Sequence, residues 1–90
     1  MHFVIQAFDR ADAGDLRVRT RPRHLDYLAD FEVIFGGPLL ADDGVMCGSL
    51  IVVQVEDRPA AEALAAGDPY AKAGLFERVT ITAMKPAIGV

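Results

Sequence analysis

Apolar residues follow two different periods along this chain. "FVIQAF" (3–8) is rich in branched and aromatic side chains and breaks off at the polar "DRADAGD", which predicts a strand. The period then lengthens. Across "TRPRHLDYLADFEVIFGG" (20–37), a rotation of ~100° per residue puts His24, Leu28, Phe31 and Phe35 on one line, flanked by Tyr27 and Ile34, with Asp26 and Asp30 facing away. That predicts a long helix, capped by Thr20, with Pro22 in its first turn and Gly36 and Gly37 ending it. His24 lies on its buried stripe.

"GGPLLADDG" predicts a short strand and a turn, with Asp43 and Gly44 as the hairpin signal. "VMCGSLIVVQVE" (45–56) is a long strand apolar on both faces: Cys47, Ile51, Val53 and Val55 alternate with Met46, Leu50 and Val52, so both sides need cover. "DRPAAEALAAG" (57–67) is a second helix, capped by Asp57, with Pro59 in the first turn and Gly67 as terminator. Asp68 and Pro69 restart the chain as a separate short turn of helix, "DPYAKAG", closed by Gly74. "LFERVTITAMKP" (75–86) is the last strand.

This order predicts an α+β, ferredoxin-like fold, an antiparallel sheet with two main helices on one face. The other face would be bare. Two such sheets packed face to face in a twofold dimer would cover the double-sided apolarity of residues 45–55. Composition points the same way: 52% of the 90 residues are hydrophobic, too apolar for disorder and high for a lone domain of this size, so a partner subunit is expected for a single domain over residues 1–90.

The net charge of −4 argues against a nucleic-acid binder. Arg17, Arg19, Arg21 and Arg23 form a local exception, read as a solvated basic turn ahead of the helix or as a site for one small anion. Cys47 is the only cysteine, so no intrachain disulfide can form; the thiol reads as buried and inert, and the location as cytoplasmic. No signal peptide, membrane span or metal-ligand cluster is expected from the sequence.

Two residues suggest chemistry. His24, the only internal histidine, is either a hydrogen-bonded core residue or an acid–base group. A carboxylate fixed at a helix start, as Asp68 would be, accepts hydrogen bonds, which suits it to orienting an imidazole rather than to acting as a base itself. Ser49 lies inside a strand rather than on the strand-to-helix elbow of a serine nucleophile, so its hydroxyl either binds ligand or satisfies a neighbouring backbone group. Tyr70 either lines a pocket or packs under the short helix.

"RPRHLDYL", "GGPLLADDGVMCGSLIVVQVED" and "AAGDPYAKAGLFERVTITAMKP" together resemble the YciI-like (YCII-related) family over essentially the whole chain. The resemblance implies a dimeric α+β barrel of the ferredoxin-like type and a site built on a His and Asp pair, which maps to His24 and Asp68. It aligns Ser49 with the family's Gly-Ser position and Arg17 and Arg21 with basic positions ahead of the histidine. One branch resembles a cofactor-independent lyase that removes chloride from a chlorinated hydroxyhydroquinone. Arg23, where a small residue is common, and His2 depart from the pattern. The expectation is thus a small cofactor-free enzyme, a homodimer with higher assembly left open, with His24 and Asp68 catalytic and Ser49, Arg21, Arg17 and Tyr70 binding a cyclic or phenolic substrate. No cofactor, metal, nucleic acid or membrane is expected; haem, which some such barrels bind through a histidine, has no supporting motif here. The competing expectation is a noncatalytic small-molecule-binding dimer, and an oxygen-using monooxygenase of similar architecture ranks third.

Overall fold

Phe3, Ile5 and Ala7 are buried while the residues between them are half-buried, the pattern of a strand with one face on the core. The computed structural model describes residues 1–89 and follows this strand through the order β1 (His2–Asp9), α1 (Leu16–Leu28), β2 (Val33–Leu40), β3 (Met46–Gln54), α2 (Arg58–Gly67), α3 (Pro69–Lys72) and β4 (Phe76–Met84). The four strands form one antiparallel sheet in the order β2-β3-β1-β4. This is the ferredoxin-like arrangement, with a short third helix added.

Register explains the core. Phe3 pairs with Val53 and Ala83, Ile5 with Ile51 and Ile81, and Ala7 with Ser49 and Val79, so these rows share one face of the sheet. Ala61 and Leu64 of α2 complete a cluster with Phe3, Ile5, Ile51 and Val53, against which Tyr27 and Leu28 of α1 also pack. Both main helices therefore lie on that face. The opposite face carries Val4, Phe8, Phe35, Leu50, Val52 and Met84 by the same pairing, and no helix among the described residues covers it.

The expected barrel is corrected. The sheet is open: β2 and β4 are its two edges, each paired to a single neighbour and separated by β3 and β1. Four twisted strands fall short of the closure that a barrel of roughly eight strands achieves.

The expected helix over 20–35 is corrected as well. α1 runs from Leu16 to Leu28, so Thr20 lies inside it as a buried residue and Pro22 sits well past the first turn. The carbonyl left without its usual donor by Pro22 belongs to the exposed Val18, where water can solvate it. The four arginines consequently belong to α1 rather than to a turn ahead of it. Phe35 and Ile34 lie in β2, where a β-branched and aromatic run is well suited. Gly36 does not end a helix either: a Cβ there would come within 2.6 Å of the Ile51 side chain, so β2 needs a glycine to pair closely with β3.

Other local expectations hold. Asp57 caps α2 by accepting from the Ala60 N–H at 3.0 Å, and Gly44 takes a positive φ of 87° in the hairpin turn. Gly67, expected as a helix terminator, has no positive φ; instead a Cβ would lie 2.5 Å from the Tyr27 hydroxyl, so the residue is small because α1 crosses it closely. Cys47 is half-buried rather than fully buried. No helix among the described residues is long and apolar enough to cross a membrane.

Candidate active site

The break between α2 and α3 sets the site. Asp68 adopts an extended backbone, φ −60° and ψ 129°, which stops α2 and starts α3, and its Oδ1 accepts from the Tyr70 N–H at 2.9 Å. Pro69 at the first position of α3 sacrifices no donor there. The turn points the carboxylate inward, where it is buried. His24, one helical turn before the C-terminal end of α1, arrives from the other side. Its Nδ1 lies 2.9 Å from Asp68 Oδ1 and 3.0 Å from Oδ2.

An ionised carboxylate can only accept, so the shared hydrogen sits on Nδ1 and the imidazole is held in a single tautomer. Nε2 has no hydrogen-bond partner among the described residues. The fully buried side-chain polar atom without a partner among them is Thr20 Oγ1, so Nε2 keeps contact with open space.

The ring is fixed from its face too. Tyr70 stacks on His24 with centroids 4.0 Å apart and planes 20° from parallel, and the Arg17 guanidinium covers Tyr70, its Cζ 4.8 Å from the ring centre. Arg17 is itself clasped by Asp9, Nε to Oδ2 and Nη2 to Oδ1, both at 2.8 Å. Burial alone would lower the Arg17 pKa, but the bond and charge of Asp9 outweigh it and raise the value, so the guanidinium is a fixed cation. Burial raises the Tyr70 pKa; Asp68 adds to the rise while Arg17 and Arg21 oppose it, and the phenol stays protonated at neutral pH. Tyr27, whose hydroxyl donates to the Leu64 carbonyl at 2.9 Å, is likewise raised, first by burial and then by the Asp68 charge.

Beside the pair, a cleft of about 400 Å³ opens between α1 and the β2–β3 hairpin. Arg17, Arg21, His24, Ser49 and Tyr70 all contribute to its wall, and Asp68 lines an adjoining recess of about 20 Å³ that shares His24, Ser49 and Ile51 with the cleft. Arg21 is exposed and makes no ion pair among the described residues, unlike Arg17 and Arg19. Ser49, opposite Ala7 and Pro38 on β3, is buried, and its hydroxyl has no hydrogen-bond partner among the described residues. The structure thus brings all six sequence-selected residues to one region, with Arg17 spent on Asp9 and Arg21 free. Asp9, which holds Arg17, has no mark in the sequence: a strand-end carboxylate eight residues before an arginine carries no signal of pairing.

A profile of the YCII-related domain matches residues 1–85. The chain belongs to the YCII-related family. Two relatives named "Protein YciI", from Escherichia coli O6:H1 and Shigella flexneri, are each 35% identical over 95 residues, spanning 94% of this chain and 97% of theirs. Among solved structures, 5-chloro-2-hydroxyhydroquinone dehydrochlorinase (TftG) from Burkholderia phenoliruptrix AC1100, in complex with 2,5-dihydroxybenzoquinone, superposes with a TM-score of 0.88 at 30% identity, covering 97% of this chain and 96% of that one. Rv0793 from Mycobacterium tuberculosis, at 16% identity and a TM-score of 0.59, shares the fold alone. This YCII-related chain therefore combines a dehydrochlorinase-like fold with a buried His–Asp pair suited to acid–base chemistry on a small substrate. Among its described residues no group of three or more His, Cys, Asp and Glu is placed to hold a metal ion.

Proposed function

We propose that the chain is a cofactor-free lyase that moves protons on a small hydroxylated ring, with His24 as the acid–base catalyst and Asp68 as its orienting partner. The observation that carries this reading is the bidentate clasp of Nδ1 by Asp68 at 2.9 and 3.0 Å, which leaves Nε2 as the working nitrogen beside a cleft of ligand size. Arg21 supplies an unpaired cation for a phenolate or enolate oxygen, and Ser49 supplies a hydroxyl. Tyr70 and Arg17 keep the imidazole plane in place and border the ring.

On a chlorinated hydroquinone, Nε2 carries a proton from a ring hydroxyl to the carbon bearing chlorine. Chloride then leaves with the bonding pair as a second hydroxyl gives up its proton. The departing chloride takes the electron pair that the ring loses in becoming a quinone, so HCl is released and no external oxidant is needed. The similar dehydrochlorinase makes 5-chloro-2-hydroxyhydroquinone the first compound to assay. Chloride release is expected from the wild type, and His24→Asn is expected to lose ~10²–10⁴-fold in rate. Binding of hydroxyquinones without turnover of any chlorinated or unchlorinated analogue would make the cleft a binding site only.

The same reading takes the chain as a cytoplasmic homodimer. Its support is the uncovered sheet face carrying Phe35, Leu50 and Met84, together with a single cysteine. A monomer in light scattering at micromolar concentration would remove the dimer.

A further inference from the structure

The cleft is larger than one ring needs and changes character along its length. An apolar cavity of ~150 Å³ suffices for benzene, whereas this cleft measures about 400 Å³. Arg17, Arg21, Leu25 and Leu28 face it from α1 at the spacing of successive turns, with Ala29 just past the helix end, so α1 runs along the cleft rather than across it. The order of those residues is a gradient, from two guanidiniums through His24 to three aliphatic side chains.

The sheet wall is less graded: Ser49 is its polar side chain, beside the apolar Pro38 and Met46, while Val33 and Ile51 line the other end. Arg17 is tied to Asp9 at the end of β1, next to Phe8, which pairs with Gly48; the basic end of α1 therefore lies over Ser49 and Pro38. At its other end α1 passes through a short connection into Val33, which pairs with Val53, so Leu28 and Ala29 lie toward Val33 and Ile51. Gly36, paired with Ile51, leaves the floor between without a side chain. Leu25 is 45% exposed at the rim, an apolar side chain that the fold itself does not cover.

We infer that the substrate has two parts: a hydroxylated ring held at the Arg21, Ser49 and His24 end, and an apolar substituent on that ring lying along Leu25, Leu28, Val33 and Ile51. The inference rests on the acid–base reading for the placement of the ring and adds to it the class of substituent. A bare ring would leave the aliphatic end hydrated. A substituent of two or three methylenes removes that surface from water without touching the reacting carbon, and a charged substituent would meet no partner there.

The probes are 2,5-dihydroxy-1,4-benzoquinone and its 3-methyl, 3-ethyl and 3-propyl homologues, with affinities measured by calorimetry on the full chain. Each buried methylene is expected to tighten binding by about fourfold, so the propyl compound exceeds the parent by more than tenfold. In Leu25→Asn, at the exposed rim, and in Val33→Thr, which keeps shape and strand preference, the ratio of parent to propyl Kd is expected to fall toward one. Homologues that bind no better than the parent overturn the inference and leave the acid–base reading standing. Failure of every ring to bind overturns both. A methylene gain that disappears in the two variants supports the inference, even where His24→Asn shows no effect on turnover and the acid–base reading fails.

Discussion

α1 and α2 lie on the same face of the same sheet, yet they bury opposite kinds of side chain. α2 presents Ala61 and Leu64 to the core, at 0% and 2% exposure. α1 buries Arg17, Thr20 and His24. An apolar stripe packs straight onto the sheet and leaves no space, while a polar one must find partners first. Arg17 finds Asp9 and His24 finds Asp68, and only Tyr27 and Leu28, at the C-terminal end of α1, reach the apolar cluster. The rest of α1 stands across a gap from β2 and β3, and that gap is the cleft. One helix anchors the fold while the other holds chemistry at a distance from it.

The comparison breaks most readily at the buried faces themselves. Leu64→Ala should cost ~2–5 kcal/mol, because the side chain sits in the cluster with Phe3, Ile5 and Val53 and leaves a cavity behind. Thr20→Val should act in the opposite sense. Its hydroxyl is buried and makes no hydrogen bond, so a methyl of the same shape is expected to stabilise the chain by about 1 kcal/mol. Urea unfolding of both variants checks the pair. If Thr20→Val instead lost that amount, the hydroxyl would be holding a partner, and the polar face of α1 would be more closely knit than described.

That division also explains what the sequence disclosed. α2 and α3 were legible because their signals are local: Asp57 and Asp68 each accept from an N–H within three residues, and Pro59 and Pro69 follow them. α1 begins without such a device, since Asp15 makes no side-chain cap, so nothing local marks its start. Its end is masked in the sequence because Phe31 and Phe35 continue a helical spacing by chance, whereas the need for Gly36 comes from Ile51, fifteen residues away in another strand. The residue types at 24 and 68 could be singled out, one by its position on a stripe and one by its place before proline. That they meet, and that Asp9 takes up Arg17, are facts of the tertiary fold. The expected barrel came with the family resemblance alone; strand order, which makes β2 and β4 open edges, is not written in any one segment.

The smallest effect sharpens the contrast at high pH. The chain has two tyrosines, and both join α1 to its neighbours: Tyr27 through the Leu64 carbonyl, Tyr70 through the His24 ring. Both have pKa values raised above the ordinary 10.0, chiefly by burial. The folded chain thus holds these protons more tightly than the unfolded chain does. Their contribution to stability is complete below pH ~10 and is lost as the pH rises through the raised values. Unfolding midpoints should therefore stay level with respect to these groups up to about pH 10 and fall above it, with Tyr70→Phe removing part of the fall. The ultraviolet absorbance of the phenolate reports the same event directly. A phenolate appearing in the folded protein at or below the ordinary value would mean that Arg17 and Arg21 outweigh burial at Tyr70. The basic half of α1 would then act on the site as a field reaching the stacked tyrosine, and not only through the contacts that hold His24 in place.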